Sequence, residues 1–178
     1  MKLIETERLF LRDLVASDRH SVHEYASEPA VVRFMEWGPN TEDETIEFIE
    51  RSISARREKP RRNFDLAIVL KDTGKLIGAC GIHVSNPESR EGWLGYCLNR
   101  NFWGKGYATE AARGLVKFGF EKLNLHRLFA TCNTKNLASA HVLEKSGMKR
   151  EGHLREHKWS KGKWRDSYLY AILEQDWK

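Results

Sequence analysis

Cysteine, proline and long apolar runs are all scarce in this sequence. Its three cysteines, Cys80, Cys97 and Cys132, form no CxxC pair and are odd in number. This excludes a disulfide framework and indicates reduced thiols packed as small apolar groups. With only four prolines and thirteen glycines in 178 residues, the composition is neither collagen-like nor dominated by linkers. We therefore expect one soluble globular domain over residues 1–178.

No apolar run is long enough to cross a bilayer. The first apolar stretch is interrupted by Glu5, Glu7 and Arg8, so it lacks the uninterrupted apolar segment of a signal peptide. We therefore expect a cytoplasmic protein without a membrane partner.

Charge is distributed unevenly along the chain. The formal net charge is +5, yet the first sixty residues hold thirteen acidic and nine basic side chains, so the basic excess lies in residues 61–178. A basic excess favours an acidic partner, which can be nucleic acid, an anionic cofactor or an acidic protein surface. Charge alone does not choose among them.

Hydrophobic periodicity and turn residues predict the order of the elements. A strand near Leu3–Leu11 precedes a helix capped by Ser17 or Asp18, and a second helix begins at Thr41, which has capping-box spacing to Glu44. The later predicted elements are strands at Phe64–Leu70, Leu76–Val84, Trp93–Leu98, His126–Cys132, Met148–Arg155 and Trp164–Leu173, and helices at Tyr107–Phe120 and Leu137–Lys145. This order predicts an α/β protein with an antiparallel meander and one parallel strand pair.

A glycine-containing loop joins a predicted strand to a predicted helix through Gly104, Lys105 and Gly106. The first N–H groups of a helix are unpaired and carry partial positive charge, and glycines let a phosphate approach the backbone closely. The loop is not a Walker loop, because neither Ser nor Thr follows Lys105, and it lacks the third glycine of the dinucleotide fingerprint. On spacing alone, a tight turn explains the loop as well as an anion site does.

Three blocks of the sequence resemble the GNAT acetyltransferases. Gly95–Leu98 followed by Phe102–Ala111 resembles motif A, in the variant with Trp before the first glycine that is typical of the RimJ/RimL-like branch. Asn136–Met148 resembles motif B of that branch, and Gly162–Trp177 resembles its closing hairpin. The resemblance covers Ile4–Trp177 and implies the GNAT fold. In that fold a mixed, mostly antiparallel sheet splays at the acetyl-CoA site and carries helices on both faces.

The resemblance implies acetyl-CoA as co-substrate and no metal. Pantetheine would pair with the strand backbone at Tyr96–Leu98, and the pyrophosphate would lie on the amides of residues 104–109. Cys97 would contribute its backbone while its thiol is incidental, and Lys105 would be a solvated lysine. The residues expected to bind the cofactor are Tyr96, Cys97, Leu98, Trp103, Gly104, Lys105, Gly106, Tyr107, Ala108, Thr109, Asn136 and Ser139.

The family reaction is direct attack of an amine on the acetyl thioester, which requires a proton for the leaving thiolate. Leu143 stands where many family members have a tyrosine that acts as the general acid. We therefore expect Ser139, three residues after Asn136, to donate the proton unless it is only a local cap. Trp93 stands where the branch often has a glutamate that acts as the general base. The base therefore stays open between Glu91, His83 and solvent, since either side chain alone is more often structural than catalytic.

The branch suggests a protein N-terminal α-amine as acceptor, of the ribosomal-protein-alanine type. A small amine, such as a polyamine, an amino acid analogue or an aminoglycoside, is the alternative, and the acidic segment Glu36–Glu50 suits a cationic acceptor. A homodimer is left open.

Three tryptophans, Trp37, Trp159 and Trp164, are expected to pack in the core rather than to line an acceptor groove. A function of another class, nucleic-acid binding, is suggested by the basic final third of the chain, which also holds Trp159, Trp164 and Tyr168. The segment fits a hairpin more simply, so we expect nucleic acid as a partner only in a ribosomal context. The basic run Arg56–Arg62 is either a solvated loop or a contact for the 3′-phosphate of CoA or an acidic macromolecule.

Overall fold

A computed structural model describes residues 2–177, with only the backbone of Lys2. The strands are β1 (Lys2–Glu5), β2 (Leu9–Asp13), β3 (Asn63–Leu70), β4 (Leu76–Asn86), β5 (Glu91–Leu98), β6 (Arg127–Asn133), β7 (Lys149–Ser160) and β8 (Lys163–Leu173). The helices are α1 (Arg19–Ala26), α2 (Pro29–Val32), α3 (Glu42–Ala55), α4 (Tyr107–Glu121) and α5 (Leu137–Lys145). Within residues 2–177, no helix combines the length and the apolar composition needed to cross a membrane.

All eight strands form one sheet in the order β1-β2-β3-β4-β5-β6-β8-β7. Strands β3, β4 and β5 make the predicted antiparallel meander, and β7 and β8 make the predicted terminal hairpin. The pair β5 and β6 is parallel, with α4 as its crossover helix. The predicted fold class, a mixed and mostly antiparallel sheet with helices, is confirmed.

The prediction of one continuous strand near Leu3–Leu11 is wrong. The segment is a hairpin, in which Glu5 of β1 pairs with Phe10 of β2. Thr6 closes the turn, because its N–H donates to the carbonyl of Leu9 at 3.0 Å and its hydroxyl accepts from the N–H of Leu9 at 3.2 Å. A short polar turn inside an apolar segment explains why periodicity alone did not separate the two strands.

The caps of the first helices differ from one another. Thr41 and Glu44 form the predicted capping box, with Thr41 N–H donating to the Glu44 carboxylate at 2.7 Å and Glu44 N–H donating to the Thr41 hydroxyl at 3.2 Å. Asp18 stands at the start of α1, but its carboxylate accepts from the Arg12 guanidinium and from the N–H of Val15 instead of from the helix.

Both faces of the sheet are covered, by different helices. Side chains alternate along a strand, so Leu66 and Ile68 of β3 pack on α4 and α5, whereas Ala67 and Val69 pack on α1, α2 and α3. We call these the α4/α5 face and the α1/α3 face. Their separation matters because the candidate site lies where the sheet opens between them.

Candidate active site

The sheet splits between β5 and β6. Pairing between these parallel strands is confined to Glu91–Trp93 against Arg127–Phe129, although β5 continues to Leu98 and β6 to Asn133. Past the last pair, the edge of β5 that faces β6 has no strand partner among the described residues, although its other edge is paired with β4. We call this opening the fork. Free N–H and C=O groups along such an edge can pair with an extended ligand.

The loop after β5 places two glycines at the start of α4. Gly104 and Gly106 have φ of +73° and +80°, in the left-handed region where a side chain is strained. The space above them is open, because a Cβ on Gly104 would meet nothing within 4 Å and one on Gly106 would meet only Arg8 Nη2, at 3.4 Å. The loop amides and the helix N-terminus are therefore accessible to an anion such as a pyrophosphate.

Arg8, in the β1–β2 turn, holds this loop against the sheet. Its Nε donates to Glu110 Oε2 at 2.7 Å, and its Nη1 donates to the carbonyl of Lys105 at 3.1 Å. The guanidinium also lies 4.5 Å from the ring centre of Tyr107. Glu110 accepts further from the Thr6 hydroxyl at 2.6 Å and the Arg8 N–H at 2.7 Å. These hydrogen bonds lower the pKa of Glu110 although burial opposes them, so the carboxylate stays ionised and keeps the loop in place.

Trp103 and Lys105 complete the loop from its outer side. The Trp103 indole N–H donates to the carbonyl of Leu98 at 2.9 Å, while 47% of the residue's surface is exposed. The Lys105 ammonium lies 5.4 Å from the ring centre of Phe102, and Lys105 is exposed. The loop thus presents backbone amides beside an exposed indole.

A groove of about 520 Å³ continues from the glycine loop along α4. Gly106 and Thr109 line its beginning, and Arg113, Lys117 and Lys145 line its further part. The basic run Arg56–Arg62 instead precedes β3 at the closed end of the fork, where Arg61 donates to Asp13 Oδ1 at 2.8 Å. Besides Arg8 and Lys105, the cations near the loop are therefore those of α4 and α5.

Two hydroxyl groups meet on the α4/α5 side of the fork. The Tyr96 hydroxyl lies 3.0 Å from Ser139 Oγ and donates to the Ser139 carbonyl at 3.1 Å. Asn136 caps α5, since its side-chain oxygen accepts from the Ser139 N–H at 3.2 Å. Burial raises the pKa of Tyr96, although the hydrogen bond with Ser139 opposes this. Both hydroxyls are thus protonated at neutral pH and can pass a proton.

Two other side chains near the fork are packed. Leu143 is 1% exposed within the core, so the motif B position that often holds a tyrosine is apolar. Cys97 lies in the core of the α1/α3 face, and burial raises the pKa of its thiol to about 12. A thiol in that state is protonated near neutrality and is a poor nucleophile.

The two candidate bases lie apart from Ser139. Glu91 is at the closed end of the fork, where Arg127 Nε donates to its carboxylate at 3.1 Å. His83 lies on the α1/α3 face, with its ring stacked on Trp93 at 4.0 Å between centres. Its Nδ1 is 3.1 Å from Asn63 Oδ1, and its Nε2 is 3.3 Å from Asp65 Oδ1.

Residues 8–149 match the family model described as the acetyltransferase (GNAT) domain. The chain belongs to the GNAT family. It is 34% identical over 174 residues to the N-acetyltransferase YnaD of Bacillus subtilis, an alignment that covers 98% of each chain. GNAT membership, a splayed sheet and several N-acetyltransferase relatives together make this protein an acetyl-CoA-dependent N-acetyltransferase.

Other GNAT proteins show how far the likeness extends. A solved GNAT acetyltransferase from Bacillus anthracis superposes with a TM-score of 0.86 at 34% identity, covering 97% of this chain and 98% of that one. RimL, a ribosomal-protein α-N-acetyltransferase solved with CoA, has a TM-score of 0.85 at 19% identity over 96% and 97% of the two chains, which shows the shared fold alone. The spermidine N(1)-acetyltransferase of Escherichia coli is 24% identical over 94% of this chain and 87% of its own.

The three tryptophans expected in the core of this GNAT domain are exposed, so that expectation is wrong. Trp37, Trp159 and Trp164 are exposed over 41%, 61% and 55% of their surfaces. Trp159 and Trp164 face each other across the β7–β8 hairpin, edge to face at 5.4 Å between ring centres. The hairpin tip is held from its other side, where Lys158 pairs with Glu36 at 2.9 Å.

Three features of the GNAT site were missed by sequence reasoning. The Tyr96 hydroxyl, the Arg8 contacts and the Asp65–His83 pair all depend on residues distant in sequence. The alternation of β5 could have placed Tyr96 on the face of α5, but nothing local indicates Arg8 or Asp65. Within residues 2–177, no group of three His, Cys, Asp or Glu side chains is arranged to hold a metal ion.

Proposed function

We propose that this GNAT enzyme transfers the acetyl group of acetyl-CoA directly to a protein N-terminal α-amine, of the ribosomal-protein-alanine type. The observation that carries direct transfer is the hydroxyl pair of Tyr96 and Ser139 beside an open strand edge. This pair supplies a proton donor for a leaving thiolate, and no covalent nucleophile is needed.

The proposal assigns cofactor binding mainly to backbone groups. The free edge of β5 at Tyr96–Leu98 pairs with the amides of pantetheine, and residues 104–109 hold the pyrophosphate, with Trp103 and Lys105 at its solvent side. Asn136 orders the start of α5 beside the pantetheine arm. Arg113, Lys117 and Lys145 in the groove along α4 attract the nucleotide end.

The acceptor enters from the α1/α3 face. In the proposal, the glycine loop, Tyr96 and Ser139 hold the donor on the α4/α5 face, so the opposite side of the fork is the one left for the amine. The amine nitrogen attacks the thioester carbonyl carbon, whose oxygen accepts a hydrogen bond from the backbone N–H of Cys97 or Leu98. A carbon–nitrogen bond forms as the carbon–sulfur bond breaks.

Two proton movements balance the reaction. Ser139 Oγ gives its proton to the leaving sulfur, the Tyr96 hydroxyl passes its proton to Ser139, and water reprotonates Tyr96 once the products leave. The surplus proton of the amine leaves on the α1/α3 face to water. His83 and Glu91 are less suited to take it, because His83 Nε2 faces Asp65 and Arg127 holds the Glu91 carboxylate at the closed end of the fork.

The acceptor class is supported by the resemblance to the RimJ/RimL-like branch. A second candidate is a small cationic amine, which is favoured by the carboxylate of Asp65 on the α1/α3 face. The name of the Escherichia coli relative, a spermidine acetyltransferase, agrees with this second candidate.

An acceptor screen tests the proposal. Peptides that begin with Ala or Ser are offered with acetyl-CoA beside the same peptides blocked at the α-amine and beside polyamines. Release of free CoA is measured, and mass spectrometry locates the acetyl group. We expect turnover of the free peptides and none of the blocked ones. Acetylation of polyamines alone would replace the protein N-terminus by a small amine as the acceptor. If millimolar acetyl-CoA does not raise the melting temperature, the enzyme assignment is contradicted.

A further inference from the structure

Beside the fork on the α1/α3 face, two neighbouring glycines leave a patch of the sheet without side chains, which we call the floor. Gly81 of β4 and Gly95 of β5 are paired in register. A Cβ on Gly81 would come within 2.7 Å of His83 Nε2 and 3.0 Å of Asp65 Oδ1, whereas one on Gly95 would have only Trp93 within 4 Å, at 3.7 Å. The His83 ring and the Asp65 carboxylate therefore occupy the space above Gly81, and the space above Gly95 is open.

Helices cover only one side of this floor. The sheet residues buried under α1, α2 and α3 include Ala67 of β3 and Cys97 of β5. Asp65, one step further along the same face of β3, remains 23% exposed at its side chain, and Trp93 is 40% exposed. The open space above Gly95 therefore lies between the helix-covered part of the sheet and the stacked His83 and Trp93 rings.

The contacts of His83 turn its Nε2 toward the Asp65 carboxylate. The side-chain nitrogen of Asn63 donates to Glu58 at 3.4 Å, which turns Asn63 Oδ1 toward His83 Nδ1 at 3.1 Å. A neutral ring with its proton on Nδ1 turns the lone pair of Nε2 toward Asp65 Oδ1, 3.3 Å away. Two acceptors that face each other are satisfied by a group that donates to both, and an ammonium or guanidinium group does so.

We infer that Asp65 and His83 form a cation subsite, so that the preferred acceptor carries a second positive charge besides the reacting amine. The inference rests on the proposed function, because it takes the α1/α3 face as the acceptor side. Asp65 and Gly95 lie two strands apart, roughly 10 Å, a span of about three extended residues. The charge can come from Lys or Arg near the N-terminus of a peptide, or from the far end of a diamine.

Binding to the CoA-saturated protein tests the subsite without turnover. The protein is titrated calorimetrically with α,ω-diaminooctane and with the matched aminooctanol. We expect the diamine to bind at least about tenfold more tightly, since its second ammonium group gains a charge-assisted hydrogen bond that the alcohol lacks. Asp65→Asn should remove this preference, whereas Asp72→Asn, in the β3–β4 turn, should keep it. Equal affinities in the unmodified protein, or a preference that Asp65→Asn leaves intact, would overturn the subsite.

Kinetics with peptides separates the two sources of the charge. The peptides Ser-Ala-Lys and Ser-Ala-Gln are compared by kcat/KM, with the KM for acetyl-CoA as the check on folding and cofactor binding. A Lys preference that Asp65→Asn removes assigns the subsite to peptides, and a preference confined to diamines assigns it to small amines. An equal loss of kcat/KM for charged and neutral acceptors contradicts a cation subsite. If acetyl-CoA is neither bound nor consumed, the proposed function fails, while the diamine titration of the free protein still decides the subsite.

Discussion

The two faces of the sheet meet at the fork with different chemistry. On the α4/α5 face, the groups at the fork are the backbone amides of Gly104 and Gly106 and the hydroxyls of Tyr96 and Ser139, whereas the cations of the α4 groove lie further along the helix. On the α1/α3 face they are charged and aromatic side chains, Asp65 with the stacked pair of His83 and Trp93. A backbone site needs small residues at particular dihedral angles, whereas a side-chain site changes its ligand with each substitution.

This difference suggests a division of labour. Every acceptor would meet the same donor, acetyl-CoA, so main-chain groups suffice on the α4/α5 face that binds it. The amine acceptor varies among GNAT proteins, so side chains that can be exchanged suit the α1/α3 face. Variants on the α4/α5 face should change cofactor binding or turnover for every acceptor alike. Variants on the α1/α3 face should change the choice of acceptor.

Ser139→Ala should have the largest effect on turnover. Loss of a positioned acid typically costs about 100-fold or more in kcat, while the Kd for CoA stays unchanged because Asn136 still caps α5. Ser54→Ala, an exposed helical serine of α3, is the matched control. If Ser139→Ala turns over as fast as the control, Ser139 is not the proton donor, and the proposed difference between the two faces loses its catalytic part.

Gly106→Val should weaken acetyl-CoA binding by about 30-fold, roughly 2 kcal/mol, because its side chain projects over the amides that face the pyrophosphate. Gly74→Val is the control, since Gly74 also has positive φ, at +69°, and open space around it, but lies in the β3–β4 turn. The two variants share the backbone strain, and only Gly106 lies at the start of α4, with Arg8 Nη2 3.4 Å from its Cβ position. Calorimetric titration with CoA that shows equal losses would mean that the pyrophosphate lies elsewhere.

Tyr96→Phe should lower kcat by about tenfold, a smaller loss than direct removal of the acid. The Phe ring keeps the packing and removes only the hydroxyl 3.0 Å from Ser139 Oγ. Because both hydroxyls act on one proton, the double variant with Ser139→Ala should be no slower than Ser139→Ala alone. Rate losses that multiply in the double variant would show that Tyr96 acts independently.

Arg8→Ala should raise the KM for acetyl-CoA by about threefold to fivefold, since an exposed ion pair contributes at most about 1 kcal/mol. The kcat should stay near its normal value because Arg8 acts through the position of the glycine loop. Arg19→Ala, which removes an exposed pair with Glu42 on the opposite face, is the control. A loss confined to kcat would contradict the positioning role.

Cys97→Ala should have the smallest effect, with kcat within about twofold of normal, as expected when a side chain is absent from the transition state. The backbone N–H of residue 97 is retained, and the thiol, whose pKa is about 12, is protonated throughout the neutral range. Steady-state kinetics checks the result. Loss of all activity in a folded variant would instead point to an acetyl-cysteine intermediate.

Sequence reasoning succeeded where the determining pattern was local. Alternating strands, the Thr41 capping box and the glycine loop before α4 are each contained within a few residues, and the structure has them in place. The motifs that resemble GNAT sequences are likewise continuous segments, so the family could be identified before any geometry was known.

The missed features depend on contacts between distant residues. Thr6 and Arg8 reach Glu110 across more than a hundred positions of sequence, and the turn that brings them there was predicted as part of a strand. Asp65 and His83 meet only because β3 and β4 pair in a particular register. The acceptor face has no motif of its own, which is why its cation subsite required the structure.

Initial-rate kinetics tests direct transfer most directly. Acetyl-CoA and a peptide or diamine acceptor are varied together, and the double-reciprocal plots are compared. Direct transfer between ligands held on the two faces of one fork predicts intersecting lines, because both must be bound before acetyl moves. Parallel lines, the pattern of a ping-pong enzyme that carries the acetyl group itself, would contradict the account.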